Sequence, residues 1–425
     1  MKPLNPKHIL LVRSAYPSKE FVLKKLKSLD YYVVILDTEK SCPDVYADEW
    51  IVADLTNYEE CLTKIKAYID TPGNHLDGTL TFWEEAILLT AKITDTFDWT
   101  GNPFESVAKI KNKFTFREVC SEHGLPSPRH HTLKNREDIL DVPQKLQFPL
   151  VIKPMYGACS AFVIRVDTIE ELEKGYDAIR HYITSFWLAP EWENVEVFVE
   201  EYIDGTEVDI DMLLQDGEVK FWSISDNFQT HEPYFIETGQ AIPSRLPQAK
   251  QDALVRMATK VLSELGIKNG VIHFEAKSSS VGPVPIEINL RMGGDEVYSF
   301  VKHAWNVDLI ENAAKIAVGE PLKVRKPSQP LIHLEGKYFL PIKEGLVRKI
   351  DIDQKIHTDF HLFELRLTKN IGDKILLPPQ DFDYMGWITA TGKDAKQATS
   401  NLERLFSEVR FTITPYEKLD LQKHI

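Results

Sequence analysis

The segment Val271-Ile272-His273-Phe274-Glu275-Ala276-Lys277, followed after a turn-rich link by Pro285-Ile286-Glu287-Ile288-Asn289-Leu290-Arg291, decides how this chain is read. Side chains along a strand alternate between faces. In the second run one face is Ile286, Ile288 and Leu290, and the other is Glu287, Asn289 and Arg291. The first run presents His273, Glu275 and Lys277 on one face, with Ile272 and Phe274 on the other. Gly282 and Pro283 in the link suit an antiparallel pair. Pairing centred on Val281 predicts Glu275 opposite Glu287, and the link is long enough for other registers. Two carboxylates side by side repel unless a cation lies between them or one keeps its proton. Glu275, Glu287 and Asn289 make an oxygen donor set suited to Mg²⁺, with Mn²⁺ as a substitute, and Arg291 offers a planar fork to a phosphoryl group. A solvent-facing sheet with ordinary salt bridges is the plainer reading of any alternating pair. The concentration of Glu, Asn and Arg just before Gly293-Gly294 argues against it.

Working outward, residues 8–12, 31–37, 49–53 and 78–82 read as strands, with helices over 19–29, 59–69 and 84–96. This alternation predicts an open parallel α/β sheet. Ligands of such sheets lie beyond the carboxyl ends of the strands, where Thr81, Phe82, Trp83 and Glu84 fall. No GxGxxG follows the first strand, so dinucleotide binding has no support. A charged helix is expected over 105–123, with Gly124 as its cap and Pro126 and Pro128 blocking continuation. His130-His131 reads as a polar loop. Residues 146–203 read as a small lobe of strands around one helix, 206–319 as a larger strand-rich lobe, 321–330 as a linker, and the remainder as a small α/β unit with a helix over 395–409. The expected division is 1–110, 111–204, 205–330 and 331–425.

The chain has 425 residues and a net charge of −14, which argues against general affinity for nucleic acid or anionic membrane. Its four cysteines, Cys42, Cys61, Cys120 and Cys159, form no CxxC pair, so neither a zinc site nor a disulfide framework is suggested. The apolar run 9–12 is broken at once by Arg13, too short for a signal-peptide core, and a cytoplasmic location is the default expectation.

Further positions fit phosphate chemistry. Lys153 ends the apolar run Leu150-Val151-Ile152. The small residues that follow, through Ser160 and Ala161, can bring backbone N–H groups onto phosphate oxygens. The strand 197–203 ends in Glu200-Glu201-Tyr202-Ile203, followed by Glu207, and can supply apolar walls for adenine and a carboxylate for a ribose.

Taken in order, Lys113, Val151-Ile152-Lys153-Pro154, Val199-Glu200-Glu201-Tyr202-Ile203, His273-Phe274-Glu275 and Glu287-Ile288-Asn289-Leu290-Arg291-Met292-Gly293-Gly294 resemble the ATP-grasp superfamily. Within it they resemble the L-amino-acid ligases and carnosine-synthase-like ligases, over about residues 77–411. Gly386–Gly392 resembles the carboxy-terminal lobe of biotin-carboxylase-like relatives. The resemblance implies an α/β ATP-grasp fold: an N-terminal open parallel domain, a small lid lobe and a larger mixed-sheet catalytic lobe. It implies ATP and Mg²⁺ as cofactors, amino acids as substrates, and a homodimer as an arrangement common among relatives. By position, Lys113 and Lys153 would contact phosphates, Glu201 and Ile203 would frame adenine with Glu200 and Ser160 beside them, and Glu207 would hold the ribose. Glu275, Glu287 and Asn289 would bind metal. Arg291 and Gly294 would steady an acyl phosphate, and Glu84 and Glu237 would lie near the amino-acid substrate. Gln240 stands where relatives often carry His. Asp295 stands where some carry an aromatic residue and would select a basic side chain, whereas the plainer reading of Asp295-Glu296 is an acidic helix N-terminus. Rival readings within the superfamily activate bicarbonate or formate, and a rival outside catalysis is a nucleotide-binding protein that turns nothing over.

Overall fold

The computed structural model describes residues 6–14, 16–155, 160–183, 196–294 and 296–415. The first sheet holds β1 (His8–Val12), β2 (Tyr32–Asp37), β3 (Glu49–Val52) and β4 (Gly78–Leu80), all parallel, in the order β3-β2-β1-β4. β1 reads HILLV and is apolar and buried from Ile9 to Val12, because helices and the next lobe cover both of its faces.

The chain next forms two helices, Phe104–Lys111 and Lys113–Glu122, where one was expected. Asn112 breaks the run: its backbone is extended and its side-chain oxygen accepts from the Thr115 N–H, capping the second helix. Lys113 thereby becomes the first residue of a helix that points into the molecule.

A four-stranded antiparallel sheet forms the small lobe: β5 (His130–Leu133), β6 (Leu150–Pro154), β7 (Ile164–Val166) and β8 (Val197–Glu201), in the order β5-β8-β6-β7. The helix Ile169–Tyr182 packs on it. His130 and His131, expected in a loop, lie in edge strand β5, where pairing with β8 overrides the polar sequence.

The large lobe carries β9 (Thr206–Gln215), β10 (Glu218–Asn227), β11 (Gly239–Ile242), β12 (Gly270–Ser279) and β13 (Gly282–Asn289). Beyond it lie β14 (His333–Tyr338), β15 (Gly345–Ile352), β16 (Leu362–Leu367), β17 (Lys374–Ile375), β18 (Gly386–Gly392) and β19 (Val409–Thr414). One eight-stranded sheet runs β13-β12-β9-β10-β11-β14-β18-β16, and a small one runs β17-β15-β19. Every pairing in the eight-stranded sheet is antiparallel, a correction to the expected mixed sheet. Two-residue turns between β9 and β10 and between β12 and β13 require it for those two pairs. Ile210, Phe274 and Ile288 on one face pack against the helix Gln248–Glu264, while the opposite face turns polar side chains to the small lobe. No helix among the described residues is long and apolar enough to cross a membrane.

Candidate active site

The register of β12 and β13 places Glu275 opposite Glu287 and His273 opposite Asn289. The hairpin closes between Ser279 and Gly282, half a residue from the expected centre, and a β-bulge between Glu275 and Ala276 on one side and Pro285 and Glu287 on the other restores the acidic pair. The bulge has a second consequence. Ile286 does not share a face with Ile288, as simple alternation predicts. It lines the cleft beside Glu287, while Ile288 stays in the core.

The cleft between the small lobe and the large sheet has a volume of about 1050 Å³, counting the mouth where it opens to solvent. Lys153, Ser160, Glu200, Glu201 and Ile203 line it from the small lobe, and Glu207, Glu237, Glu275, Glu287, Asn289 and Arg291 from the large sheet. Lys113 and Glu84 reach it from a helix start and from the rim of the first sheet. Gly294 is not among the lining residues, although open space surrounds its Cα. Tyr156–Cys159 of the expected phosphate loop and Asp295 lie outside the described residues. Gly293 is needed for packing, since a Cβ there would fall 2.7 Å from His273 Nδ1.

On the small-lobe side, the Glu200 carboxylate is shared between Lys153 Nζ at 2.5 Å and Arg117 Nε at 2.9 Å. Both carboxylate oxygens are thus engaged, so Glu200 orients Lys153 at the cleft wall. Burial would raise the Glu200 carboxyl, but Arg117 and Lys153 hold it at about 2. Burial lowers the Lys153 ammonium, with Glu200 opposing the shift. Arg117 is fully buried and also donates from Nη2 to the Ile286 carbonyl at 2.8 Å, tying the small lobe to the bulge. Glu201 accepts from the Arg129 backbone and guanidinium, which leaves its own carbonyl and the Ile203 segment on the cleft wall. Lys277 Nζ donates to the Ile203 carbonyl at 3.1 Å and stands 3.7 Å from Glu207.

The large-sheet side is acidic. Burial first, and the facing Glu287 second, push the Glu275 carboxyl up to about 8. Lys113 Nζ approaches Glu287 Oε1 to 3.0 Å, and Asn289 Nδ2 donates to Glu275 Oε1 at 3.2 Å. Below them His273 lies 2.9 Å from Asp211 and 4.0 Å from Asp209. Burial works against its charge, yet Asp209 and Asp211 hold the imidazole up at about 10. This buried imidazolium supports the floor and is already committed.

A divalent cation fits the donor set. A carboxyl that retains its proton because it is shielded from water and faces another carboxylate is a place where a metal replaces that proton. Two carboxylates and an amide oxygen leave positions for phosphate oxygens, the arrangement Mg²⁺ favours. Among the described residues, no cluster of three or more His, Cys, Asp or Glu offers another metal site.

At the far end Glu84 receives Lys111 at 2.7 Å, and Arg291 Nε stands 3.0 Å from its other oxygen. Burial would raise the Glu84 carboxyl, but Lys111 and Arg291 keep it low. Gln240 lies buried outside the lining, donating to Glu296, whose carboxylate also accepts from Thr389 at 2.7 Å. The Glu296 side chain is therefore turned to the sheet rather than capping the helix Val297–Trp305.

Sequence reasoning missed Arg117, Lys111, Lys277 and Ile286. Arg117 lies one helical turn after Lys113, so its place on the same face was the available signal.

Residues 146–299 match the family model for the ATP-grasp domain, and residues 337–414 match the L-amino acid ligase C-terminal domain 2. Carnosine synthase 1 of Homo sapiens is 27% identical over 354 residues, covering 78% of this chain and 42% of that protein. The L-arginine-specific L-amino acid ligase of Bacillus subtilis is 24% identical over 387 residues, covering 86% and 88%. The chain thus spans about two fifths of the human carnosine synthase but most of the bacterial ligase. A crystal structure of an L-amino acid ligase from Bacillus licheniformis superposes with a TM-score of 0.79 at 22% identity, covering 96% of this chain and 99% of that one. The chain thus carries an ATP-grasp domain followed by a C-terminal domain of the L-amino acid ligase type.

Proposed function

We propose that this ATP-grasp protein is an ADP-forming carboxylate–amine ligase that joins two L-amino acids into a dipeptide through an acyl phosphate. The observation that carries the reading is the acidic pair Glu275–Glu287, set on paired strands in a cleft that also gathers Lys113, Lys153 and Arg291. The ligase-type C-terminal domain favours an amino acid over bicarbonate or formate as the activated acid.

In this reading the adenine lies between Ile286 and the small-lobe strands, with Glu207 on the ribose. Lys113 and Lys153 bind phosphate oxygens, and Glu200 and Arg117 fix Lys153 for that task. A divalent cation, when bound at Glu275, Glu287 and Asn289, supplies positive charge against the phosphates. A carboxylate oxygen of the first amino acid attacks the γ-phosphorus, the bond from phosphorus to the β–γ bridging oxygen breaks, and ADP leaves. Arg291 offsets charge on the transferred group, an electrostatic contribution made without moving a proton. The neutral amine of the second amino acid then attacks the acyl carbon. The carbon–oxygen bond to phosphate breaks, phosphate leaves, and the nitrogen gives up one proton. No covalent enzyme intermediate is required. In this reading Glu237, and Glu84 alongside its Lys111 and Arg291 partners, receive ammonium groups of the substrates.

The test is mass spectrometry after incubation with ATP, Mg²⁺ and a mixture of L-amino acids whose carboxylates carry ¹⁸O. A dipeptide is expected, with one labelled oxygen in the released phosphate for each amide formed. Phosphate without label, or ADP with no amide, would contradict the reading.

A further inference from the structure

Arg13 directly follows β1 and Trp83 closely follows β4, so both leave the parallel sheet at the carboxyl ends of adjacent strands. In the order β3-β2-β1-β4 the chain builds outward from β1 in one direction before β4 joins its other side. This is the switch point at which open α/β sheets receive ligands. Three hydrogen-bond donors gather there. The Arg13 guanidinium lies 5.2 Å from the centre of the Trp83 ring, and Lys19 Nζ, which also donates to the Phe82 carbonyl, lies 4.6 Å from it. The indole Nε1 is buried and has no acceptor among the described residues. The accompanying carboxylate, Glu85, stays 3.9 Å from Arg13, too far for a hydrogen-bonded pair. Arg13 also holds a φ of 65°, a left-handed conformation that is costly for a residue with a side chain and that concentrates at ligand sites.

The cluster lies outside the lining of the cleft but is joined to it through the chain, because Trp83 immediately precedes Glu84, whose carboxylate meets Arg291 inside the cleft. A guanidinium and an ammonium held against one aromatic ring suit a carboxylate, which accepts from several donors at once. Of the two amino acids in a ligation, the amine donor necessarily keeps its own α-carboxylate unreacted, so an anion must be placed near the cleft throughout.

We propose that Arg13, Lys19 and Trp83 form an anion subsite that holds the α-carboxylate of the amine-donating amino acid, leaving its amine directed past Glu84 toward Arg291. This rests on the ligase reading above and names where its second substrate binds. The subsite acts on binding and selection, and no bond changes in it.

The test compares an amino acid with its α-carboxamide as the amine donor, in the presence of ATP and Mg²⁺, following amide by mass spectrometry and phosphate release. For the native protein, kcat/KM for the acid is expected to exceed that for the carboxamide by about tenfold or more, the scale of a lost charged hydrogen bond. In Arg13→Met and in Lys19→Met, each checked for native circular dichroism, that ratio is expected to collapse to about one to three. Arg13→Lys, which keeps the charge, is expected to recover part of it. An unchanged ratio in both Met variants, or a native protein indifferent to the carboxamide, overturns the subsite. Failure of every amine donor to yield an amide, with no ATP turnover, would instead strike at the ligase reading.

Discussion

On the small-lobe wall of the cleft, Glu200 lies between Arg117 and Lys153, and its charge is answered on both sides within the protein. Across from it, Glu275 faces Glu287, and burial with repulsion keeps the Glu275 carboxyl up at about 8. The two walls follow opposite logic. The first is complete without a ligand and holds a lysine in place. The second is electrostatically incomplete and gains by taking a cation. A folded protein generally answers its buried charges, so the wall that leaves a carboxylate pair facing itself is the one arranged for something that arrives.

Breaking each wall in turn gives the largest expected effects. Glu287→Ala is expected to lower ligation by about a thousandfold or more, because charge on the transferred phosphoryl group loses its counterpart. Its thermal unfolding without metal should change little, since relief of the repulsion with Glu275 is offset by loss of the Lys113 ion pair. Glu200→Gln should behave in the opposite sense. It leaves Arg117 and Lys153 buried without their counter-charge and is expected to cost about 3–5 kcal/mol of stability. Urea unfolding of both variants decides the matter, and equal destabilisation would erase the distinction between the walls.

A smaller effect appears with pH. Folding raises the Glu275 carboxyl from 4.5 to about 8, so the folded state keeps that proton longer than the unfolded chain does. Its influence on stability is therefore neutral below 4.5, grows increasingly unfavourable as pH rises from 4.5 to about 8, and is constant above. Glu200 is lowered from 4.5 to about 2, and its stabilisation is present above 4.5 and lost as pH falls through 2. In EDTA, the melting temperature of the native protein should carry a downward contribution toward pH 8 that is reduced in Glu287→Ala. The residual slope reflects burial, which remains. Identical slopes in the two proteins would contradict the assignment of Glu287 as a cause.

The acidic wall was legible in the sequence and the basic wall only partly. Glu275 and Glu287 are found by strand alternation and a hairpin count, which are local rules. Ile286 was misplaced because a bulge is a backbone event that alternation does not encode. Arg117 escaped because its partner Glu200 is 83 residues away and is brought near only when the small lobe closes on the helix. The break at Asn112 was written as a helix-capping residue before a lysine, yet the charged run around it reads as continuous. The strand at His130 was hidden for a different reason: an edge strand takes its conformation from its neighbour rather than from apolar side chains of its own.

The most direct test of the acidic wall is electron paramagnetic resonance of Mn²⁺ titrated into the protein with ADP present. The native protein is expected to bind the ion with an affinity that Glu287→Ala weakens by about a hundredfold, the scale expected when a carboxylate ligand is lost, while ADP affinity without metal changes little. Equal Mn²⁺ affinity in the two proteins would contradict the claim that Glu275 and Glu287 hold the cation together.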